Sequence, residues 1–148
     1  MDDLLHRHRD ARSRALQRDR CERPGLATGN QRIEVLAGTL DRATGTFLLE
    51  NKSPSRRAGE LDNRGSHYFL ARYWAEELAK QTDDADLAAA FASVAEELSS
   101  QEETIVGELA EVQGSPVDIG GYYNPDDAKA SAVMRPSATL NKVIASLT

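Results

Sequence analysis

"SHYFLARYWAEELAK", residues 66–80, decides the fold. Phe69 and Leu70, Tyr73 and Trp74, then Leu78 return every three or four residues. That is the period of a helix with one buried face. Glu76, Glu77 and Lys80 put charge into the last turns, and Ser66 stands where an N-cap is expected. For Tyr73 and Trp74 the plain reading is core packing.

The same period continues outward on both sides. Upstream, Ile33, Leu36, Leu40 and Phe47 recur at helical spacing. Asn30 is placed to cap that helix, which should end near Asn51, ahead of Pro54. Downstream, "TDDAD" (82–86) breaks the pattern, and Leu87, Phe91, Val94 and Leu98 start an alanine-rich helix. Ser100 with Glu103 fits a capping box for a further helix through Ile105, Leu109 and Val112, which Gly114 and Pro116 end. "PVDIGGYYNP" (116–125) is an irregular crossing in which Tyr122 and Tyr123 read as a packed turn. Asn124, Pro125 and the acids Asp126 and Asp127 read as cap, first-turn proline and acidic first turn. A last helix carries Leu140, Val143, Ile144 and Leu147. No alternating strand pattern and no internal repeat is present. The fold class expected is all-α, with irregular loops at 51–65 and 114–124.

The totals narrow the function. The chain has 148 residues and a net charge of −6, which argues against a nucleic-acid binder, since polyphosphate demands a basic face. One cysteine, Cys21, allows no intramolecular disulfide and suits a reducing compartment. No apolar run approaches the ~18 residues of a membrane span. The start lacks the apolar stretch of a secretory signal. A cytoplasmic location is therefore expected. Residues 1–24 hold seven Arg against five acids, +2, and the remainder holds 11 basic residues against 19 acids, −8. After Met1, Leu4, Leu5 and Leu16 are the only large apolar residues before Pro24. Such a segment, with His6 and His8, reads as a disordered lead-in.

Conventional active-site patterns are absent. One cysteine builds no zinc cluster, no Ser/His/Asp order is legible, and the glycines of "GELDNRG" (59–65) come after no strand. One stretch stands apart. "NKSPSRRAGELDNRGSH" (51–67) is polar, glycine-punctuated and basic, with Lys52, Arg56, Arg57, Arg64 and His67. Guanidinium groups grip phosphate oxygens in pairs, and a helix start just beyond adds free backbone N–H groups. Arg56, Arg57 and Arg64, with Lys52 and Ser53, are therefore candidate phosphate ligands. The competing reading is solvated cations, with Arg64 or His67 packed on a neighbouring helix.

"NKSPSR" (51–56), "ELDNRGSH" (60–67), "PVDIGGYY" (116–123) and "MRPSAT" (134–139) stand contiguous and in order. Together they resemble the extreme C-terminus of the monomeric-type NADP-dependent isocitrate dehydrogenases. The resemblance begins near "TGNQRIEVLAGTLDRATGTFL" (28–48) and covers residues 28–148, whereas residues 1–27 are unmatched. The lead-in looks like out-of-register or unrelated coding sequence. The resemblance implies a helical fragment of the small domain of a larger α/β enzyme. It implies oxidative decarboxylation of isocitrate to 2-oxoglutarate in the complete enzyme, with hydride passing to NADP. Mg or Mn would be held by ligands outside this chain, as would the catalytic groups. The isolated chain should lack activity, and its partner would be the N-terminal part of the enzyme, with neither nucleic acid nor membrane engaged. The family's 2′-phosphate arginine falls on Arg56 when the C-termini are aligned without gaps, with Arg57 and Arg64 as alternatives. A non-catalytic helical interaction module is the alternative from another class.

Overall fold

A computed structural model describes residues 30–147. They form six helices: α1 Gln31–Leu49, α2 Asn63–Lys80, α3 Ala85–Ser100, α4 Glu102–Glu111, α5 Asp127–Met134 and α6 Ala138–Ala145. No strand occurs among the described residues, so the all-α expectation holds. The expected lead-in, with Cys21, His6 and His8, lies outside the described residues.

The hydrophobic stripes read in the sequence meet at one core. Helix α2 packs against α1 and α3, and α4 and α6 close the remaining side. Tyr68, Phe69, Tyr73 and Leu78 bury the inner face of α2. Val94 and Leu98 of α3, Ile105 and Leu109 of α4, and Val143 of α6 complete it. Burying each such side chain is worth roughly 1.5–3 kcal/mol before ordering costs. Ala43 on α1 is fully buried, and its small side chain lets α1 approach the core closely. Two ion pairs fasten α1 to its neighbours: Arg42 Nε to Glu77 on α2, and Arg32 Nε to Asp84 at the start of α3, both at 2.8 Å.

The helix ends explain where expectation and structure part. Asn30 caps α1, its side chain accepting the Arg32 N–H at 3.0 Å. Ser66 does not cap α2. Asp62 does, accepting the Gly65 N–H at 2.9 Å. Ser66 is buried inside the first turn, where its hydroxyl donates to the Lys52 carbonyl at 2.8 Å. Ser100 forms no capping box. It is the last residue of α3, and α4 starts just beyond it, behind Gln101 and without a side-chain cap. Asp126, not Asn124, caps α5 by accepting the Lys129 N–H at 2.9 Å. Tyr122 and Tyr123 are not a packed turn. They are 88% and 99% exposed and touch each other edge to face, with ring centres 5.7 Å apart.

Candidate functional site

The basic stretch becomes a braced loop between α1 and α2. Helix α1 stops through a Schellman arrangement: Lys52 N–H bonds the Phe47 carbonyl at 3.1 Å and Asn51 N–H the Leu48 carbonyl at 3.2 Å. Asn51 takes the left-handed conformation this requires, at φ 52°, which asparagine tolerates better than most residues. The loop then closes on itself, with Ser55 N–H bonding the Leu61 carbonyl at 2.7 Å. Inside that closure the Ser55 hydroxyl donates to Glu60 at 2.5 Å and accepts the Arg57 N–H at 3.2 Å. Gly59 turns the tip at φ 84°, a region strained for residues bearing a Cβ.

A distant residue grips that tip. Gln113, just past the end of α4, accepts the Gly59 N–H on Oε1 at 2.8 Å and donates Nε2–H to the Glu60 carbonyl at 3.0 Å. The next residue, Gly114, lies against the loop, since a Cβ built there would stand 3.8 Å from that of Ala58.

The three candidate arginines have different fates. Arg64 is committed to structure. Its Nε and Nη2 donate to Asp62 Oδ2 at 2.8 and 2.6 Å, and Nη1 donates to the Val133 carbonyl at 2.9 Å. It thus fastens the start of α2 to the end of α5, which is the packed alternative read for it in the sequence. Arg57 is exposed and reaches Glu60 only at 3.8 Å. Arg56 is exposed and makes no hydrogen bond or ion pair among the described residues. Lys52 is half-buried, its ammonium 4.1 Å from the Phe69 ring centre, a cation–π contact. Ser53 is exposed beside it.

The helix start is less open to anions than the sequence suggests. The first turn of α2 already holds the Asp62 carboxylate. Burial pushes that carboxyl up, but the Gly65 N–H and the Arg64 guanidinium outweigh it and hold the group below its usual range. A phosphate would meet negative charge there. The free cationic surface lies instead at the loop tip, around Arg56 and Arg57.

Two participants escaped the sequence reading. Asp62 carried a local signal, a capping-type residue three before Gly65. Gln113 carried none, because its partners lie 53 and 54 residues away. Among the described residues no group of three His, Cys, Asp or Glu side chains could hold a metal ion. None of the described helices is long and apolar enough to cross a membrane.

The comparisons agree on one family. The model of the family described as monomeric isocitrate dehydrogenase matches residues 15–145, which takes in part of the segment ahead of residue 28. Isocitrate dehydrogenase (NADP) 2 of Mycobacterium tuberculosis is 59% identical over 120 residues, 81% of this chain and 16% of the relative. Isocitrate dehydrogenase (NADP) 2 of Colwellia maris is 55% identical over 126 residues, 85% of this chain and 17% of the relative. The enzyme of Azotobacter vinelandii, isocitrate dehydrogenase (NADP), is 54% identical over 126 residues, again 85% and 17%. The chain therefore spans about one sixth of the length of the curated relatives it matches.

Proposed function

Because the chain belongs to the monomeric isocitrate dehydrogenase family, we propose that it forms the C-terminal part of an NADP-dependent isocitrate dehydrogenase and supplies Arg56 to the 2′-phosphate of the cofactor. The complete enzyme would oxidise and decarboxylate isocitrate to 2-oxoglutarate, passing hydride to NADP, in the cytoplasm. The observation that carries the Arg56 assignment is its freedom. Of the three candidates, Arg64 is held by Asp62 and Val133, Arg57 leans towards Glu60, and Arg56 alone has no internal partner among the described residues. A guanidinium left free on a braced loop suits a phosphate, which it can grip through two parallel N–H bonds.

NADP differs from NAD by one phosphate, so a single such contact discriminates between them. A hydrogen bond to a charged group is worth roughly 1.5–3 kcal/mol, or about one to two decades in affinity. The family resemblance puts the ligands of the complete enzyme's metal outside this chain, in the rest of the enzyme, and among the described residues no group of three His, Cys, Asp or Glu side chains offers a donor set for it. Exposed apolar side chains support a covering partner of that kind. Leu49 is 88% exposed, and Leu48, Met134 and Ile144 are each more than half exposed. By itself the chain should give no NADPH from isocitrate, since the described residues supply scaffold and cofactor contacts and not the reacting groups.

A chimera tests the reading. Residues 28–148 are exchanged into the Mycobacterium tuberculosis relative, and isocitrate-dependent reduction of NADP and NAD is measured with and without Arg56→Ala. The chimera should turn over, and the variant should lose roughly 10- to 100-fold in kcat/KM with NADP and much less with NAD. Equal losses with both cofactors would reject Arg56 as the phosphate reader, and a folded but inactive chimera would reject the fragment assignment.

A further inference from the structure

We propose that Gln113 is a positioning residue for the phosphate-reading loop, its side-chain amide holding the tip in the shape that presents Arg56. The inference rests on the reading of Arg56 given above. It comes from the two-pronged contact that joins the loop to the end of α4. One carboxamide accepts the N–H of Gly59 at 2.8 Å and donates to the carbonyl of Glu60 at 3.0 Å. Only one orientation of the amide satisfies both bonds, because the N–H needs an acceptor and the carbonyl a donor.

The clamp's location separates positioning from core stability. Ala58, Gly59 and Glu60 are all exposed, so the tip adds little to the buried core. Gly59 sits at φ 84°, where glycine is conformationally permissive and an unbraced tip would sample many shapes. The pairing of Ser55 with Leu61 closes the base of the loop, and the Ser55–Glu60 bond stiffens one side. Gln113 is the tip's hydrogen-bonded link to another helix. It is half-buried, and its neighbour Gly114 abuts Ala58, so the clamp is seated against the loop. A loop ordered on folding does not have to be ordered again when an anion binds. Gln113 therefore raises the affinity for phosphate without touching it.

The test uses the chimera described above, titrated by calorimetry with adenosine 2′,5′-bisphosphate and, separately, with adenosine 5′-monophosphate, and compared with the same chimera carrying no further substitution as wild type. Gln113→Met keeps the side-chain length and removes both hydrogen bonds. It should weaken the bisphosphate on the order of tenfold, leave the monophosphate within about twofold, and leave the thermal transition in place. The Gly59 amide should exchange with solvent faster in the variant. Gln113→Asn, too short to reach, takes the same test if Gln113→Met fails to fold.

Two results overturn the inference, and they differ. If Arg56→Ala abolishes the preference for the bisphosphate while Gln113→Met matches wild type in affinity and in Gly59 exchange, the clamp is idle and Arg56 stands. If wild type shows no preference for the bisphosphate, Arg56 is not the reader and Gln113 loses its role with it.

Discussion

Trp74 donates its indole N–H to the hydroxyl of Thr39 at 3.0 Å, and that hydroxyl donates in turn to the Val35 carbonyl at 2.7 Å. A threonine buried to 1% exposure inside α1 thus satisfies the polar edge of the one tryptophan, which sits on α2. Thr39→Val keeps the shape and removes the acceptor, leaving the indole N–H without its partner. We expect a loss of about 1–3 kcal/mol, read as a lower denaturation midpoint with an unchanged slope. Thr39→Ser should recover much of it. A neutral Thr39→Val would mean that water replaces the hydroxyl.

Tyr68 links α2 to α3 by donating its hydroxyl to the Leu98 carbonyl at 2.6 Å. That carbonyl belongs to the last turn of α3, where intrahelical donors run out. Tyr68→Phe should cost about 1–2 kcal/mol in chemical denaturation. Burial pushes the phenol up to about 12 from its ordinary 10.0, with the Glu102 charge adding to the effect. The folded value exceeds the unfolded one, so this stability is fully present below pH 10 and is lost as pH rises towards about 12. Phenolate absorbance in an alkaline titration should show ionisation later than exposed tyrosines give, and Tyr68→Phe should remove the Tyr68 part of it, leaving the delay of Tyr73, whose phenol burial also pushes up.

Glu108 on α4 holds the start of α6, accepting the Ser137 hydroxyl at 2.5 Å and the Thr139 hydroxyl at 2.9 Å. The Ser137 bond first, then the Thr139 bond, keep its carboxyl below the ordinary value of 4.5. A depressed folded value contributes stability above the unfolded value that fades as pH falls through the folded one. Glu108→Gln should therefore lower the melting temperature at neutral pH, and the difference from wild type should shrink below pH 4.5. A difference that stays constant down to strong acid would assign the effect to packing instead.

Arg64 predicts the reverse of Arg56. Arg64→Ala removes three hydrogen bonds and leaves Asp62 without its cation. Stability should fall by about 2 kcal/mol, and the preference of the chimera for NADP over NAD should persist. A loss of that preference in a variant that stays folded would return Arg64 to the cofactor site.

Much of this was legible in the sequence because it is local. The stripe of Phe69, Tyr73 and Leu78 fixes a helix and its buried face through the helical period alone. Asn30 caps α1 as its position implies, because its partner is two residues away. The choice between Asp62 and Ser66 is not local. Both are capping residues, and the Lys52 carbonyl draws the Ser66 hydroxyl away while Arg64 orients Asp62. The roles of the arginines are decided in the same way. Sequence placed Arg56, Arg57 and Arg64 in one basic loop, but only the folded chain brings Val133 to Arg64 and Gln113 to Gly59, across 69 and 54 residues. Sequence period determines which face of a helix is buried. Which charge in a loop stays free depends on partners that folding alone brings within hydrogen-bond reach.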